Sequence, residues 1–436
     1  MIRLTWLFAV VCFAASVLAA AAATPDALVL FDPQLHDLLS QNSTSSLSKF
    51  ISNLELQYKV TVKSYDDEDI KLLLEDDLAY DNLVLLPSSK KAIAAKQAVS
   101  QGQLLKYINA HGNVLVVGDA TSVLPESTRV FLNELGIYPS PKNFRYQDHF
   151  HTSDSGKVAL APANVVAGNN VISQLSTSEY DGGAALISNN ELIIPLVQSS
   201  KTGFTAGNKE YLDEDTTWTF GEQGFLAVGL QALNNARVAW VGSESLLENE
   251  LVQWVFQQKG VLKLQFVHHS REENPAVPDP SIYRVKEQAL YTIGVSEWVD
   301  GKWAPYTVSN PENNLQVEFK MLDPYQRLDL KPLGPAASVD GLDVLDTQVY
   351  SVQFTVPDQH GMFTFGLDYK RSGLSYLEDS KVVTVRHLAN DEYKRSWDIT
   401  NSWLYVASAG LVVVAWFAFV VNYIYVGKTN AAKKNI

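Results

Sequence analysis

Residues 102–120, GQLLKYINAHGNVLVVGDA, place two patterns back to back. The first half reads as a helix closed by Gly112, in the position that favours a left-handed cap. The second half, NVLVVGDA, is a short apolar run of the length and β-branched content of a buried strand. The same alternation extends outward on both sides. ALVLFD (27–32), YKVTVKSY (58–65) and DNLVLLP (81–87) read as further strands. Between them Leu47, Phe50, Ile51 and Leu54 recur at i, i+3, i+4 and i+7 on one helix face, and EDIKLLLEDDLA (68–79) reads as helical. TRVFLNELG (128–136) is another helix, ending at Gly136. Strand and helix in alternation predict a parallel sheet covered on both faces, a flavodoxin-like doubly wound α/β domain.

From Ser140 to Phe220 the periodicity is poor, and loops with short strands are expected there. GFLAVGLQAL (224–233) and ARVAWVGS (236–243) then read as strands joined through an Asn-Asn turn, and LLENELVQWVFQQKG (246–260) as a helix returning to the sheet. We place this domain at 24–265 and a proline-rich linker at 266–280. Seven strand-like runs between Tyr283 and Leu388, with turn sequences and no helical period, predict an all-β immunoglobulin-like sandwich over 281–390.

The two ends carry a different signal. Residues 1–23 combine Arg3, an apolar run from Leu4 to Leu18 and small residues before Thr24, the pattern of a secretory signal peptide. Trp403 to Tyr425 contains no charged side chain; at about 1.5 Å per residue it reaches roughly 34 Å, enough to cross a bilayer once. Trp403, Tyr405, Tyr423 and Tyr425 sit at its ends, where amphipathic rings meet the headgroups. Segment 391–402 joins the sandwich to this helix, and 426–436 forms a tail with Lys428, Lys433, Lys434 and no acid, the composition of a cytosolic flank.

The formal net charge is -14, and Arg3 and the three tail lysines lie outside the stretch between the two ends, so the lumenal part is more acidic still. Such a surface disfavours nucleic acid and anionic lipid as partners. The single cysteine, Cys12, lies in the expected signal peptide, which removes disulfides, thiolate metal sites and cysteine nucleophiles from the mature chain.

Motifs for catalysis are sparse. No G-x-S-x-G elbow, phosphate loop or dinucleotide fingerprint occurs, and Ser122 after the fourth strand has no evident base. Asp32, Ser88 and Asp119 follow the carboxyl ends of strands, where such sheets bind ligands. The pairs Asp213/Asp215 and Asp67/Asp69 have D-x-D spacing for a hard cation, and His149/His151 and His268/His269 are possible metal pairs; each reads more simply as a solvated loop. No catalytic, cofactor or metal residue is assigned. Asn42 in NST is a glycosylation acceptor, and Trp298, Trp303 and Tyr306 offer rings for stacking on sugars or for packing.

FLNELGIYPSPK (131–142), LNNARVAWVGS (233–243), SEWVDGKWAPY (296–306), DPYQRLDL (323–330), PDQHGMFTFGLDYKRSGLSYL (357–377) and RHLANDEYKRSWDITNSW (386–403) together resemble the 48-kilodalton subunit family of eukaryotic oligosaccharyltransferase, in its fungal, wheat-germ-agglutinin-binding form. The resemblance implies a GIFT-type first domain and an essential non-catalytic role in transferring a dolichol-linked oligosaccharide to Asn in N-x-Ser/Thr. It implies no cofactor, and as partners a ribophorin-II-like subunit, a small DAD-like subunit and a multispan catalytic subunit. It also places the chain in the endoplasmic reticulum membrane as a single-pass type I protein. Lys433 and Lys434, third and fourth from the end, then resemble a dilysine retrieval signal read by COPI coats. Competing readings are a lumenal carboxylate-dependent glycosidase or transferase acting through Asp213 and Asp215, and a cycling cargo receptor.

Overall fold

The computed structural model describes residues 25–35, 46–67, 69–74, 77–93, 97–153, 156–175, 179–207, 216–275, 277–308, 313–336, 346–393 and 401–425. The expected signal peptide, Asn42, Asp213, Asp215, Lys428, Lys433 and Lys434 lie outside the described residues.

The first body is built on one nine-stranded sheet. In chain order its elements are β1 (Asp26–Phe31), α1 (Ser46–Glu55), β2 (Lys59–Ser64), β3 (Asn82–Leu85), α2 (Gln101–Asn109), β4 (Asn113–Val117), α3 (Glu126–Glu134) and β5 (Ile137–Pro139). β6 (Ala185–Ile187), β7 (Ile193–Gln198), β8 (Phe225–Gln231), β9 (Arg237–Val241) and α4 (Asn249–Val255) complete it. The strand order is β2-β1-β3-β4-β9-β8-β6-β5, with β7 also on β8. From β2 to β9 every pairing is parallel; from β9 to β5 every pairing is antiparallel.

Alternation along the central strands explains the layers. Val29, Val84 and Leu115 face one apolar cluster with Leu47, Ile51 and Leu54 of α1 and Leu251 and Trp254 of α4. Leu28, Leu83 and Val114 face the other, with Leu104 and Tyr107 of α2 and Phe131 of α3. A strand buried on both faces needs an unbroken apolar run, which is what these strands have.

Three expectations change. The described residues of 68–79 are not helical: Ile70 and Leu72 are buried while Asp69 and Lys71 beside them are exposed, a period of two, and Leu73–Leu74 pairs antiparallel with Asp77–Leu78. The sheet is mixed rather than wholly parallel, because the Asn234-Asn235 turn is too short for a crossover and returns β9 beside β8 as a hairpin. The left-handed residue after α2 is His111 (φ 71°), not Gly112; Gly112 is required because a Cβ there would stand 2.4 Å from the Tyr107 ring. Gly136 does close α3 with φ 86°.

The second body comprises two five-stranded sheets. Its strands are β10 (Val261–Arg271), β11 (Ile282–Arg284), β12 (Gln288–Val299), β13 (Lys302–Pro305), β14 (Gln316–Lys320), β15 (Pro324–Asp329), β16 (Lys331–Pro335), β17 (Gln348–Thr355), β18 (Gly361–Tyr369) and β19 (Leu377–Arg386). One sheet runs β10-β12-β17-β16 with β13 on β12, the other β11-β19-β18-β14-β15, and both contribute to one core through Tyr291, Ile293, Phe319, Phe363 and Phe365. β10 starts at Val261 and pairs with β12 through Arg271, so the first half of the expected 266–280 linker is strand. A last helix, α5 (Ser402–Ile424), has mean hydropathy 2.3 and no residue buried against the rest of the chain.

The register gives the second body two distinct ends. The β18–β19 connection, residues 370–376, lies at the end that meets the first body. Gly361, Val385 and the turn after Lys320 lie at the opposite end, where the chain leaves for α5.

Candidate functional site

The crevice beyond the parallel strands is closed by its own side chains. Asp32, just after β1, accepts hydrogen bonds from Ser88 Oγ (3.1 Å), Ser89 N (2.8 Å), Ser89 Oγ (2.5 Å) and Gln34 N (2.9 Å). Burial would raise this carboxyl, but the Ser89, Gln34 and Ser88 donors outweigh it and hold it down at about 2. Asp119, after β4, accepts from Thr121 Oγ1 (2.6 Å), Ser122 Oγ (2.8 Å) and Ser122 N (3.1 Å), which overcome its burial and lower it in the same way. Beside Asp119 the cavity bounded by Ser122, Gly183, Trp240 and Gly242 is about 30 Å³, room for a water but not for a sugar ring. Asp32 and Ser88, both candidates for a binding crevice, are thus brought together as a staple between two loops. Ser122 serves Asp119 as a donor, with no base beside it.

The remaining acids and histidines also have local partners. Asp67 accepts from Ser64 N and so closes the turn after β2, while the Asp69 carbonyl accepts from Lys63 Nζ. His149 and His151 diverge: His149 packs on Phe204 with ring centroids 5.4 Å apart, and His151 Nδ1 lies 2.8 Å from the buried Asp148. Asp148 also accepts from Ser200 Oγ, Thr202 Oγ1 and Phe150 N; these donors and His151 offset its burial and hold it at about 2. His268 and His269 alternate across β10. His268 faces Asp279, whereas His269 turns inward onto Phe365 (4.8 Å) and Tyr283 OH (2.9 Å), and burial pushes its imidazole down to about 4. No group of three potential metal ligands occurs among the described residues.

Tyr306 is a core residue, its hydroxyl 3.1 Å from that of Tyr369. Trp298 and Trp303 are a cross-strand pair with centroids 5.1 Å apart, and Trp298 Nε1 donates to Gln258 Oε1 of the first body (3.1 Å).

That contact belongs to an extended polar network, the seam between the bodies. Residues 371–376 form a tongue that enters the first body behind β8, β9 and α4. Trp254 Nε1 donates to Gly373 O (2.9 Å), Gln231 Nε2 to Leu374 O (2.8 Å) and Asn170 Nδ2 to Ser372 O (2.8 Å). Asn235 clasps Tyr376, accepting from its N (2.7 Å) and donating to its O (3.2 Å), and Ser375 N donates to Gly260 O (2.9 Å).

At the centre lies Arg237, fully buried. Its guanidinium donates to Trp254 O, Lys259 O and Gly260 O, each at 2.7 Å, and to Ser375 Oγ at 3.3 Å, and its Cζ lies 5.0 Å from the Trp254 ring centroid. Burial pushes the group down to about 9, so it remains charged at neutral pH, held by three carbonyl dipoles and Ser375 with no ion-pair partner among the described residues. Two glycines with positive φ make the close approach feasible. A Cβ on Gly260 (φ 67°) would meet Gly373 O at 2.4 Å, and one on Gly373 (φ 81°) would meet Asn170 and Val171 at about 3.1 Å.

Sequence reasoning passed over Arg237 and the tongue. The available signal was a lone charge opening a strand whose other residues, Val238 to Val241, are all apolar.

Two bodies joined by a buried hydrogen-bonded seam and followed by one exposed apolar helix define a membrane-anchored protein of two domains, whose strand-end carboxylates are held by their own loops. Comparison with known proteins agrees. The family model "OST48, N-terminal domain" matches residues 18–276, and "OST48 middle domain" matches 268–427. The dolichyl-diphosphooligosaccharide-protein glycosyltransferase subunit WBP1 of Saccharomyces cerevisiae is 35% identical over 92% of this chain and 91% of its own length. The corresponding subunit wbp1 of Schizosaccharomyces pombe is 27% identical over 87% of this chain and 89% of its own, and the 48 kDa subunit of Drosophila melanogaster 27% over 88% and 89%. The chain belongs to the OST48 family, the non-catalytic 48 kDa subunit of the oligosaccharyltransferase of protein N-glycosylation, with a single membrane helix in the endoplasmic reticulum.

Proposed function

We propose that this chain serves its complex as a stiff lumenal arm on a single type I span. In this reading a flavodoxin-like, GIFT-type α/β domain (24–265) stands on an immunoglobulin-like sandwich (281–390), which stands on the helix at 403–425. The observation that carries it is the tongue 371–376, whose buried bonds to Arg237, Trp254, Gln231 and Asn235 lock the two bodies into one piece. An arm of fixed shape can hold neighbouring subunits at a set height above the membrane and present the dolichol-linked glycan to the catalytic subunit. The partners are those of the family: a ribophorin-II-like subunit, a DAD-like subunit and the multispan catalytic subunit. The saturated carboxylates Asp32, Asp119 and Asp148 support a binding or bracing role over acid–base chemistry.

The proposal includes a glycan on Asn42 and, through Lys433 and Lys434, retrieval by COPI coats; loss of a glycosidase-sensitive mobility step in Asn42→Gln and escape of a Lys433→Ser/Lys434→Ser chain test these parts. The role itself is tested by purifying complexes through this chain and assaying oligosaccharide transfer to an acceptor peptide. Transfer is expected only when a multispan transferase co-purifies, and depletion of the chain is expected to lower occupancy of many lumenal sequons. Transfer or glycan cleavage by the purified chain alone would overturn the reading, and purification without a multispan partner would favour a cargo receptor.

A further inference from the structure

The end of the second body opposite the tongue carries an apolar stripe open to solvent. Leu322, at the tip of the β14–β15 turn, is 91% exposed. Its neighbour Met321 lies against the start of β18, where a Cβ on Gly361 would stand 3.0 Å from Met321 Sδ. Met362 follows, with its sulfur 3.5 Å from Thr384 Oγ1, and Thr384 pairs with Ile282 of β11. Met321, Met362 and Ile282 are each 43–59% exposed, with Thr384 of β19 standing between the last two. A turn tip tolerates a polar residue without loss of fold, so folding alone does not require leucine at its most exposed point.

The chain's own path says what this end faces. β19 leaves the sheet at Arg386, beside Ile282 and Met362, and the next residues stay pinned there. Glu392 accepts from Arg386 at 2.8 and 2.9 Å and pairs with Arg284 Nε at 2.9 Å. Only nine residues separate Glu392 from Ser402, where α5 begins, and the ten steps between the two span at most about 35 Å when fully extended. The opposite end lies beyond that reach, since the twelve residues of β12 alone are about 40 Å long. It is also occupied by the first body. Charges around the stripe are matched among themselves, as in Lys286–Asp358 (2.8 Å) and Arg284–Glu392, so attraction to anionic headgroups is not what the surface offers. It offers leucine and methionine on a loop whose nearest apolar phase is the bilayer crossed by α5.

We propose that the 321–322 turn, backed by Met362 and Ile282, dips into the lumenal interface of that bilayer and forms a second, non-covalent foot for the arm. The contact is apolar, so it persists at high salt. It requires no particular headgroup.

The test uses the full chain in its complex, in phosphatidylcholine nanodiscs, with a fluorophore on Leu322→Cys. Lipid carrying a nitroxide high on the acyl chain is expected to quench position 322 several-fold more than a label on Asp300→Cys, in the turn at the far end, with little change between low and high salt. A second variant, Leu322→Asp with the label on Met362→Cys, is expected to lose most of the quenching while its thermal unfolding stays as in the parent. Equal quenching at 322 and 300 would overturn the proposal. So would an unquenched position 322 that cross-links to another subunit, which would make the stripe a protein interface.

Discussion

Replacing Arg237 by methionine isolates what the buried guanidinium contributes. Three bonds at 2.7 Å from a charged donor are worth about 1.5–3 kcal/mol each in gross terms. Against them stands the cost of taking the charge out of water, several kcal/mol, which methionine removes while keeping similar bulk. The variant then leaves the Lys259 carbonyl short of its donor, at about 1–3 kcal/mol if it finds no water, while those of Trp254 and Gly260 keep Gln257 N and Ser375 N. The expected net loss is about 3 kcal/mol. Arg237→Lys separates geometry from charge: its single nitrogen cannot span carbonyls served by two guanidinium nitrogens, yet it retains the burial cost, so it should be at least as unstable as methionine. Thermal unfolding of the full chain in detergent measures stability, and limited proteolysis after Lys370 and Arg371 reports whether the tongue is seated. A methionine variant as stable as the parent, or a lysine variant that restores stability, would refute the reasoning.

Gly373→Ala forces a Cβ into left-handed backbone and onto Asn170 and Val171, and is expected to cost about 2–3 kcal/mol and to expose the tongue to protease without disturbing the cores. Asp148→Asn keeps the shape but removes the charge that binds Ser200, Thr202 and the Phe150 amide; a loss of about 2 kcal/mol is expected in thermal unfolding at neutral pH, shrinking as pH falls from 3.8 toward 2, where the parent loses the same advantage. His269 acts with the same sign in a higher pH window. Its folded pKa of about 4 lies below the ordinary 6.5, so the folded state binds fewer protons between those values and stability falls as pH drops through that window, by about 2 kcal/mol after screening by Asp279 and Lys381. A melting profile against pH should flatten there in His269→Gln.

The central strands and both helical layers were legible because each strand from β1 to β9 keeps an apolar run and each helix an apolar face. The segment 68–79 misled because its leucines outnumber the positions that are buried, and which of them face inward is decided by the neighbouring Tyr65 and Val99 of the same cluster. The crevice acids were found at the right strand ends, but a carboxylate's role depends on who donates to it. Ser89, the chief donor to Asp32, lies 57 residues away and no local pattern pairs them. The seam was hidden for the same reason on a larger scale, since Arg237 and Ser375 are 138 residues apart.

That separation gives the seam a place in time. A chain entering the lumen from its amino end completes the sheet of the first body by about residue 260, with Arg237 already met by Trp254, Lys259 and Gly260. The indole of Trp254 has no carbonyl to bind until Gly373 follows, 119 residues later. Until then the back of α4 is an unfinished surface, and the first body matures only when the β18–β19 hairpin has been delivered. Truncation anywhere before the tongue leaves that surface open to the quality-control machinery of the compartment.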